Sequence, residues 1–419
     1  LPGAEGLARR AAPTASTRTL RVLYLHQHYS RPEGSTATRS WLHARALAEA
    51  GHAVTVACGR YAGAATGLDG AFRQGCRTGE TDGFAVREFD IACGNAQRLP
   101  ARAAAFLRYA GAASRLALSG GWDVIVASST PLTVAIPALL ARRARGTPFL
   151  FEIRDPWPES VTALSAVPRP VLRAMGHLAN TACGRAGTVV ALTEGMAETA
   201  IARGADPRAV HVLPQGADLD LFGPHVAPWR PDGVPAEHVL AVYAGAHGMA
   251  NGLDSLLDAA ALLRGARIRL LLVGDGARKP ALVARAAAEA LPVSFLDPLP
   301  KPRIAALLAG AEVALLCLKP VPEFEEWSAP NKLAEGLAAG RPVVSNVAGR
   351  AGRLLREGGC GVAAPPGDAA ALAAALRRLA DDPALRTEMG RAARRVAEAQ
   401  FDGRRIAADF VRLVEATAR

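Results

Sequence analysis

Two α/β domains in tandem, each a parallel sheet flanked by helices, are the fold class this 419-residue chain predicts. Short β-branched or aliphatic runs alternate with Ala/Leu/Arg helical stretches, the pattern of βαβ units. A proline-rich break divides that alternation into two series, and the length is too great for one ordinary core. Two such sheets side by side place a cleft between the carboxyl ends of their strands, where ligands of α/β folds sit.

The first series reads as strands at 21–26, 53–58, 123–128, 148–153, 188–192 and 210–213, with helices between them. One helix runs from Arg39 and ends at Gly51, a residue suited to a helix stop. The stretch "PQGADLDLFGPHVAPWRPDGVPAEH" then breaks the alternation with five prolines. The second series has strands at 239–245, 268–276, 293–296, 313–318 and 342–345. The expected domains are therefore 20–222 and 239–400, joined by a linker at 223–238. A last helix at 401–419 is expected to pack back across the linker. Residues 1–19 show no periodicity and read as a flexible, basic extension outside the fold.

Half the residues are apolar and 21% charged, which makes the chain globular rather than disordered. No apolar run reaches the length a membrane-spanning helix needs, and no charged-then-apolar leader is seen. The six cysteines are scattered without metal-like spacing and read as buried thiols in a reducing, cytoplasmic setting. The formal charge of +11 asks for an acidic partner. Of 49 basic residues only Lys279, Lys301, Lys319 and Lys332 are lysine, leaving 45 arginines, and all four lysines fall between 279 and 332. Where arginine is the default, a retained lysine suggests that a compact point charge is wanted.

After the first strand, Gly34, Ser35 and Thr36 precede a helix, so backbone N–H groups would point over the sheet. An ordinary capped βα turn is the plain alternative. No GxGxxG or phosphate-loop motif stands there, which weakens the dehydrogenase and P-loop readings. The second domain repeats the device: Gly245, His247 and Gly248 follow one strand, and Gly274 and Gly276, with Lys279 beyond, follow the next. In "SAPNKLAEGLAAGRPVV", Asn331 opens a helix, Lys332 offers charge to a phosphate and Glu335 offers a carboxylate to a sugar diol. Together these loops predict a nucleoside diphosphate site.

At this point "VALTEGM", "VLPQGADLDLF", "LLLVGDGARK" and "APNKLAEGLAAGRPVVSN" resemble the retaining nucleotide-sugar glycosyltransferases of family 4, with their two-Rossmann GT-B fold. "YLHQHYSRPEGSTATRSW", "FEIRDPWPES" and "YAGAHGMANGLDSLLDA" are most similar to the subgroup containing O-antigen L-fucosamine transferases. The resemblance extends from Leu20 onward. It implies transfer from a nucleotide-sugar, a UDP-sugar foremost, to a glycan or polyprenyl-diphosphate-linked acceptor. Glu335 would match the second Glu of the family's E-x7-E motif and hold the donor ribose. Lys332 and Lys279 would neutralise the leaving diphosphate, approached from the other domain by the Gly34 loop. No cofactor or metal is expected, since no DxD motif lies in a strand-end loop, and no nucleic acid partner is expected.

At three places the sequence departs from the family. Trp327 stands eight residues before Glu335, where the first carboxylate belongs. His247 and Asn251 occupy the neighbourhood of the usual Arg and Lys after Gly245. In the first domain Arg154 and Asp155 stand where many relatives carry a His, so acceptor activation passes to Asp155 or Glu159. Arg154 and Asp155 could instead form a structural ion pair, His26 and His28 could pack or line the cleft, and Trp157 could anchor its loop. The run 95–121, with Arg98, Arg102, Arg108 and Arg115 among apolar residues, reads either as a solvated helix or as contact with the anionic inner face of a membrane. A non-hydrolysing UDP-sugar 2-epimerase, a natural-product glycosyltransferase and a binding protein with decayed catalytic residues remain as alternatives.

Overall fold

The computed structural model describes residues 18–94, 97–162 and 167–419. Most of the expected N-terminal extension, 1–17, lies outside the described residues, as do 95 and 96 at the head of the arginine-bearing run.

The first domain runs β1 (Arg21–Leu25), α1 (Arg39–Glu49), β2 (Ala53–Tyr61), β3 (Cys76–Thr81), β4 (Phe84–Cys93), α2 (Leu99–Leu118), β5 (Val124–Ser128) and α3 (Ala135–Arg145). It continues through β6 (Phe149–Ile153), α4 (Glu159–Thr162), α5 (Arg169–Arg185), β7 (Thr188–Ala191), α6 (Glu194–Ala202) and β8 (Val210–Val212). Its strands lie in the order β3-β4-β2-β1-β5-β6-β7-β8, parallel except for β3 against β4. In the central strand, Val22 stands opposite Val54 on one side and Val124 on the other. Both faces are covered, so β1 is buried from Val22 to Leu25 and its residues divide by parity. Leu23 and Leu25 meet Phe106 and Tyr109 of α2 and Ala138 of α3. Val22 and Tyr24 meet Trp41 of α1 on the opposite face.

The second domain runs β9 (Val239–Ala244), α7 (Asp254–Leu262), β10 (Ile268–Val273), α8 (Lys279–Ala288), β11 (Val293–Leu296), α9 (Lys301–Gly310) and β12 (Val313–Leu316). Then come α10 (Glu323–Trp327), α11 (Asn331–Ala338), β13 (Val343–Ser345), α12 (Arg350–Glu357), β14 (Gly361–Ala363), α13 (Ala369–Asp381) and α14 (Pro383–Gln400). The order β11-β10-β9-β12-β13-β14 is parallel throughout.

The last helix, α15 (Gly403–Thr417), does return to the first domain. Ile406, Phe410, Val411 and Val414 complete the core over α1, and Phe410, with no exposed surface, contributes about 2–3 kcal/mol by burial. The chain thus crosses between domains twice, and the crossings hydrogen-bond to each other. Ala217 N donates to Phe401 O at 2.8 Å, and Gly403 N donates to Ala217 O at 2.9 Å. Glycine is required there, because a Cβ on Gly216 would lie 2.8 Å from Gly403 Cα.

Two expectations need correction. The first domain does not extend to 222: Ala217 and Phe222 belong to the second domain's core. The proline-rich segment after it is a strap on that domain, tied by Trp229 N to Ala306 O at 2.8 Å and by Arg230 to Glu312. The alternating runs β3 and β4 and the three-residue β14 were absent from the expected strands. β3 is a half-exposed edge strand rich in polar residues, so it lacks the apolar run that marks a buried strand.

Candidate active site

A cleft of about 750 Å³ opens between the carboxyl ends of the two sheets. Of the residues expected there, Ser35, Arg154, Asp155, Gly245, Gly274, Gly276, Asn331, Lys332 and Glu335 line it together.

On the second-domain side the wall is largely backbone. A Cβ on Gly274, whose φ is +142°, would fall 2.0 Å from Gly245 O, and one on Gly276 would fall 2.6 Å from the carbonyl of His247. The two loops therefore approach backbone to backbone, which side chains would prevent. A Cβ on Gly245 would come 2.8 Å from Lys332 Cε, so this glycine gives the lysine its place.

Lys332, in the first turn of α11, donates from Nζ to Tyr243 Oη at 3.1 Å and Asn251 Oδ1 at 3.0 Å. The Tyr243 hydroxyl spends its own proton on Ala246 O, 2.9 Å away, leaving its oxygen free to accept. Burial lowers the Lys332 pKa to about 8, with Cys317 and Glu335 pulling the other way. Glu335, one turn on, is held by Lys301, whose backbone N–H reaches across the cleft to Pro32 O at 3.1 Å. No role was expected of Lys301, although its place among the four lysines was the available signal.

On the first-domain side the wall is made by side chains. Arg154 donates to His26 Nε2 at 2.8 Å. A guanidinium can only donate, so His26 carries its proton on Nδ1 and gives it to Ser40 Oγ at 2.7 Å. Burial, then the charge of Arg154, drives the His26 pKa well down, fixing this neutral tautomer. Beneath it, Glu152 accepts from Arg39 at 2.8 Å and from Ser128 at 2.5 Å. Burial raises the Glu152 pKa, but Arg39 and its other neighbours prevail and hold it at about 2. His28 also lines the cleft, its ring 4.2 Å from that of Tyr61. Burial and Arg154 lower its pKa to about 3.

Asp155 does not pair with Arg154; it accepts from Thr130 Oγ1 at 2.7 Å. Its side chain lines the cleft and is exposed to solvent there. Enclosure by protein raises its pKa against the opposing effects of Thr130 and Arg154.

Five expected residues stand elsewhere. Lys279 begins α8 just behind the ends of β10 and β11, and there its ammonium binds Gly274 O, Leu296 O and Asp297. Glu159 is engaged by Arg203 outside the cleft wall. Gly34 packs against the backbone of 63–65, and Gly248, half-buried, is not among the residues lining the cleft. His247 is fully buried between the glycine loops with both ring nitrogens unpartnered, and burial lowers its pKa to about 4. Trp327 packs against the first domain: a Cβ on Gly195 would lie 3.1 Å from its ring. Trp157 packs near Phe106, ring centroids 6.0 Å apart. Among the described residues no group of three or more His, Cys, Asp or Glu side chains could hold a metal ion, and no helix is long and apolar enough to cross a membrane.

Two family models match the chain. A glycosyl transferase 4-like domain matches residues 34–216, and glycosyl transferases group 1 matches 238–382. A D-inositol 3-phosphate glycosyltransferase of Pseudarthrobacter chlorophenolicus is 33% identical over 223 residues, covering 50% of this chain and 51% of that protein. The protein of that name from Streptomyces avermitilis is 30% identical over 278 residues, covering 62% and 58%. The chain spans about half the length of the curated relatives it matches. Sucrose-phosphate synthase from Thermosynechococcus elongatus aligns with a TM-score of 0.74 at 18% identity, over 95% of this chain and 99% of that one. Anabaena HepE in complex with UDP and glucose aligns at 0.67 and 19%, over 95% and 100%. At those identities the structural likeness is one of fold. Two parallel-sheet domains, the cleft at their strand ends and family matches in both halves converge: a glycosyl transferase 4-like domain and a glycosyl transferases group 1 domain stand in tandem on a GT-B fold.

Proposed function

We propose that the chain transfers a hexosyl or N-acetylhexosaminyl group from a UDP-sugar to a glycan or polyprenyl-diphosphate-linked acceptor, with retention, in bacterial polysaccharide or glycoconjugate synthesis. The observation that carries this reading is Lys332, a half-buried ammonium among glycine loops one helical turn from Glu335. As the anomeric carbon–oxygen bond to the diphosphate breaks, negative charge grows on the leaving oxygens. A cation positioned beforehand, in a site that excludes water, stabilises it. The acceptor oxygen forms the new bond to the anomeric carbon and its proton passes to Asp155, whose raised pKa suits a base. Arg154, held by His26, orients the acceptor or the departing phosphate from the first domain. HepE, a neighbour of the same fold, binds UDP and glucose, which supports UDP as the carrier. The two family matches favour transfer over epimerisation. Charge neutralisation falls to side chains without a resident metal, in a cytoplasmic setting.

Incubation with UDP-, GDP- and dTDP-sugars, with and without a lipid extract, tests this reading. Nucleoside diphosphate release that needs the extract and survives EDTA is expected with a UDP-sugar. No release with any donor would sink the transferase reading, and interconversion of donor sugars without acceptor would replace it with epimerisation.

A further inference from the structure

Helices α2, α3 and α5 cover one face of the first domain's sheet around a common core. Arg102, Arg108 and Arg115 on α2, Arg142, Arg143 and Arg145 on α3, and Arg169, Arg173 and Arg185 on α5 make nine positive charges, and the three helices hold no Asp or Glu. They therefore carry nine of the chain's formal +11. Eight of the nine are exposed, Arg102 being half-buried. Among the described residues none of them pairs with a carboxylate, whereas Arg45, Arg285, Arg394 and Arg412 on other helices do. The same helices expose Leu99 at 59%, Leu107 at 62%, Leu140 at 40% and Val171 at 47%, half of the eight exposed large apolar side chains among the described residues. Arginine beside exposed leucine suits a surface whose headgroups are anionic and whose interior is apolar; a nucleic acid backbone would use only the arginines.

We propose that α2, α3 and α5 together seat the chain on an anionic lipid surface, with the first half of α2 at the cleft's edge. The Phe106 ring of α2 lies 6.2 Å from that of His28 in the cleft wall, so a surface under α2 lies close to the acceptor half. That use of the face, though not lipid binding itself, rests on the transferase reading.

Flotation of the full chain with phosphatidylcholine vesicles, with and without phosphatidylglycerol, tests the proposal. Binding is expected only with the anionic lipid and is expected to weaken with salt. Joint Arg108→Gln, Arg115→Gln, Arg143→Gln and Arg173→Gln should lower the affinity by about a hundredfold to a thousandfold. Joint Leu99→Gln and Leu107→Gln should lower it several-fold, and both sets should keep the wild-type thermal shift with UDP as the sign of an intact fold. Unchanged vesicle binding in the arginine set would overturn the proposal, as would tighter binding to duplex DNA than to anionic vesicles. If vesicle binding holds but no donor is turned over, the surface stands and the transferase reading falls.

Discussion

In the second domain the cleft is walled by backbone. Gly245, Gly274 and Gly276 bring two loops into contact, and the charge stands on one turn of α11 with Lys301 behind it. In the first domain side chains reach in from three strand ends: His26 after β1, Thr130 after β5, and Arg154 with Asp155 after β6. A diphosphate presents the same oxygens whatever sugar it carries, so rigid N–H groups and a fixed cation suit it. An acceptor varies between enzymes, and replaceable side chains over a buried Arg39–Glu152 support can be changed one at a time. On the proposed function, the leaving group would be bound by the second-domain half and the acceptor activated by the first.

The largest effect should come from opposing substitutions across the cleft. Asp155→Asn removes the proposed proton acceptor and is expected to lower turnover about 10²- to 10³-fold, with nucleotide affinity nearly unchanged. Lys332→Ala and Glu335→Ala should weaken UDP binding by about tenfold to a hundredfold. Titration calorimetry with UDP alone separates these results. Equal affinity losses in all three variants would erase the assignment.

That same division explains what could be read from the residues alone. Both sheets, the cleft and the α11 charges follow from apolar periodicity and from glycines whose spacing survives without tertiary information. The first-domain half was legible only as positions. Nothing local in "EIRDPWPES" says that Arg154 turns to His26, 128 residues away in sequence, while Asp155 turns to Thr130. Lys279 misled for a related reason: a lysine next to a glycine loop looks like a phosphate ligand, but the ends of two parallel strands supply carbonyls that claim it. Trp327 was visible as a departure, and its role in packing against Gly195 of the other domain needed three dimensions.

Next in size is Lys301→Met. It leaves Glu335 without its partner in the cleft wall, where each side chain is only about a tenth exposed. Loss of about 3 kcal/mol of stability in urea denaturation is expected, with a raised donor KM. A loss confined to KM would mean that water or the nucleotide, rather than Lys301, balances Glu335.

The pH dependence of donor binding sharpens the comparison because the second-domain half carries Lys332, whose pKa burial brings towards neutrality. Its pKa is about 8 in the empty protein against an ordinary 10.5. Between those values the unfolded chain holds more protons at this position, so its contribution makes stability rise with pH across that window. A bound diphosphate restores the charge, so binding takes up a proton there. UDP affinity should fall above about pH 8, by up to about tenfold per unit, and Lys332→Arg should flatten the profile. A flat profile in the unaltered protein would show that the lysine stays charged when the cleft is empty.

The smallest expected effects set one glycine loop against the other. A Cβ on Gly34 would lie 2.3 Å from Ser30 Oγ, 2.8 Å from Ala65 N and 2.9 Å from Gly63 O. Two of these neighbours are backbone and cannot step aside, so Gly34→Ala should destabilise by about 1–3 kcal/mol and leave UDP affinity alone. A Cβ on Gly245 meets the far end of Lys332 instead, and a flexible stem can yield. Gly245→Ala should therefore leave the unfolding midpoint nearly in place and weaken UDP binding several-fold by displacing Nζ from Tyr243 and Asn251. If Gly34→Ala weakened UDP binding as much as Gly245→Ala, the first-domain loop would belong to the diphosphate site after all, and the two halves would share the leaving group.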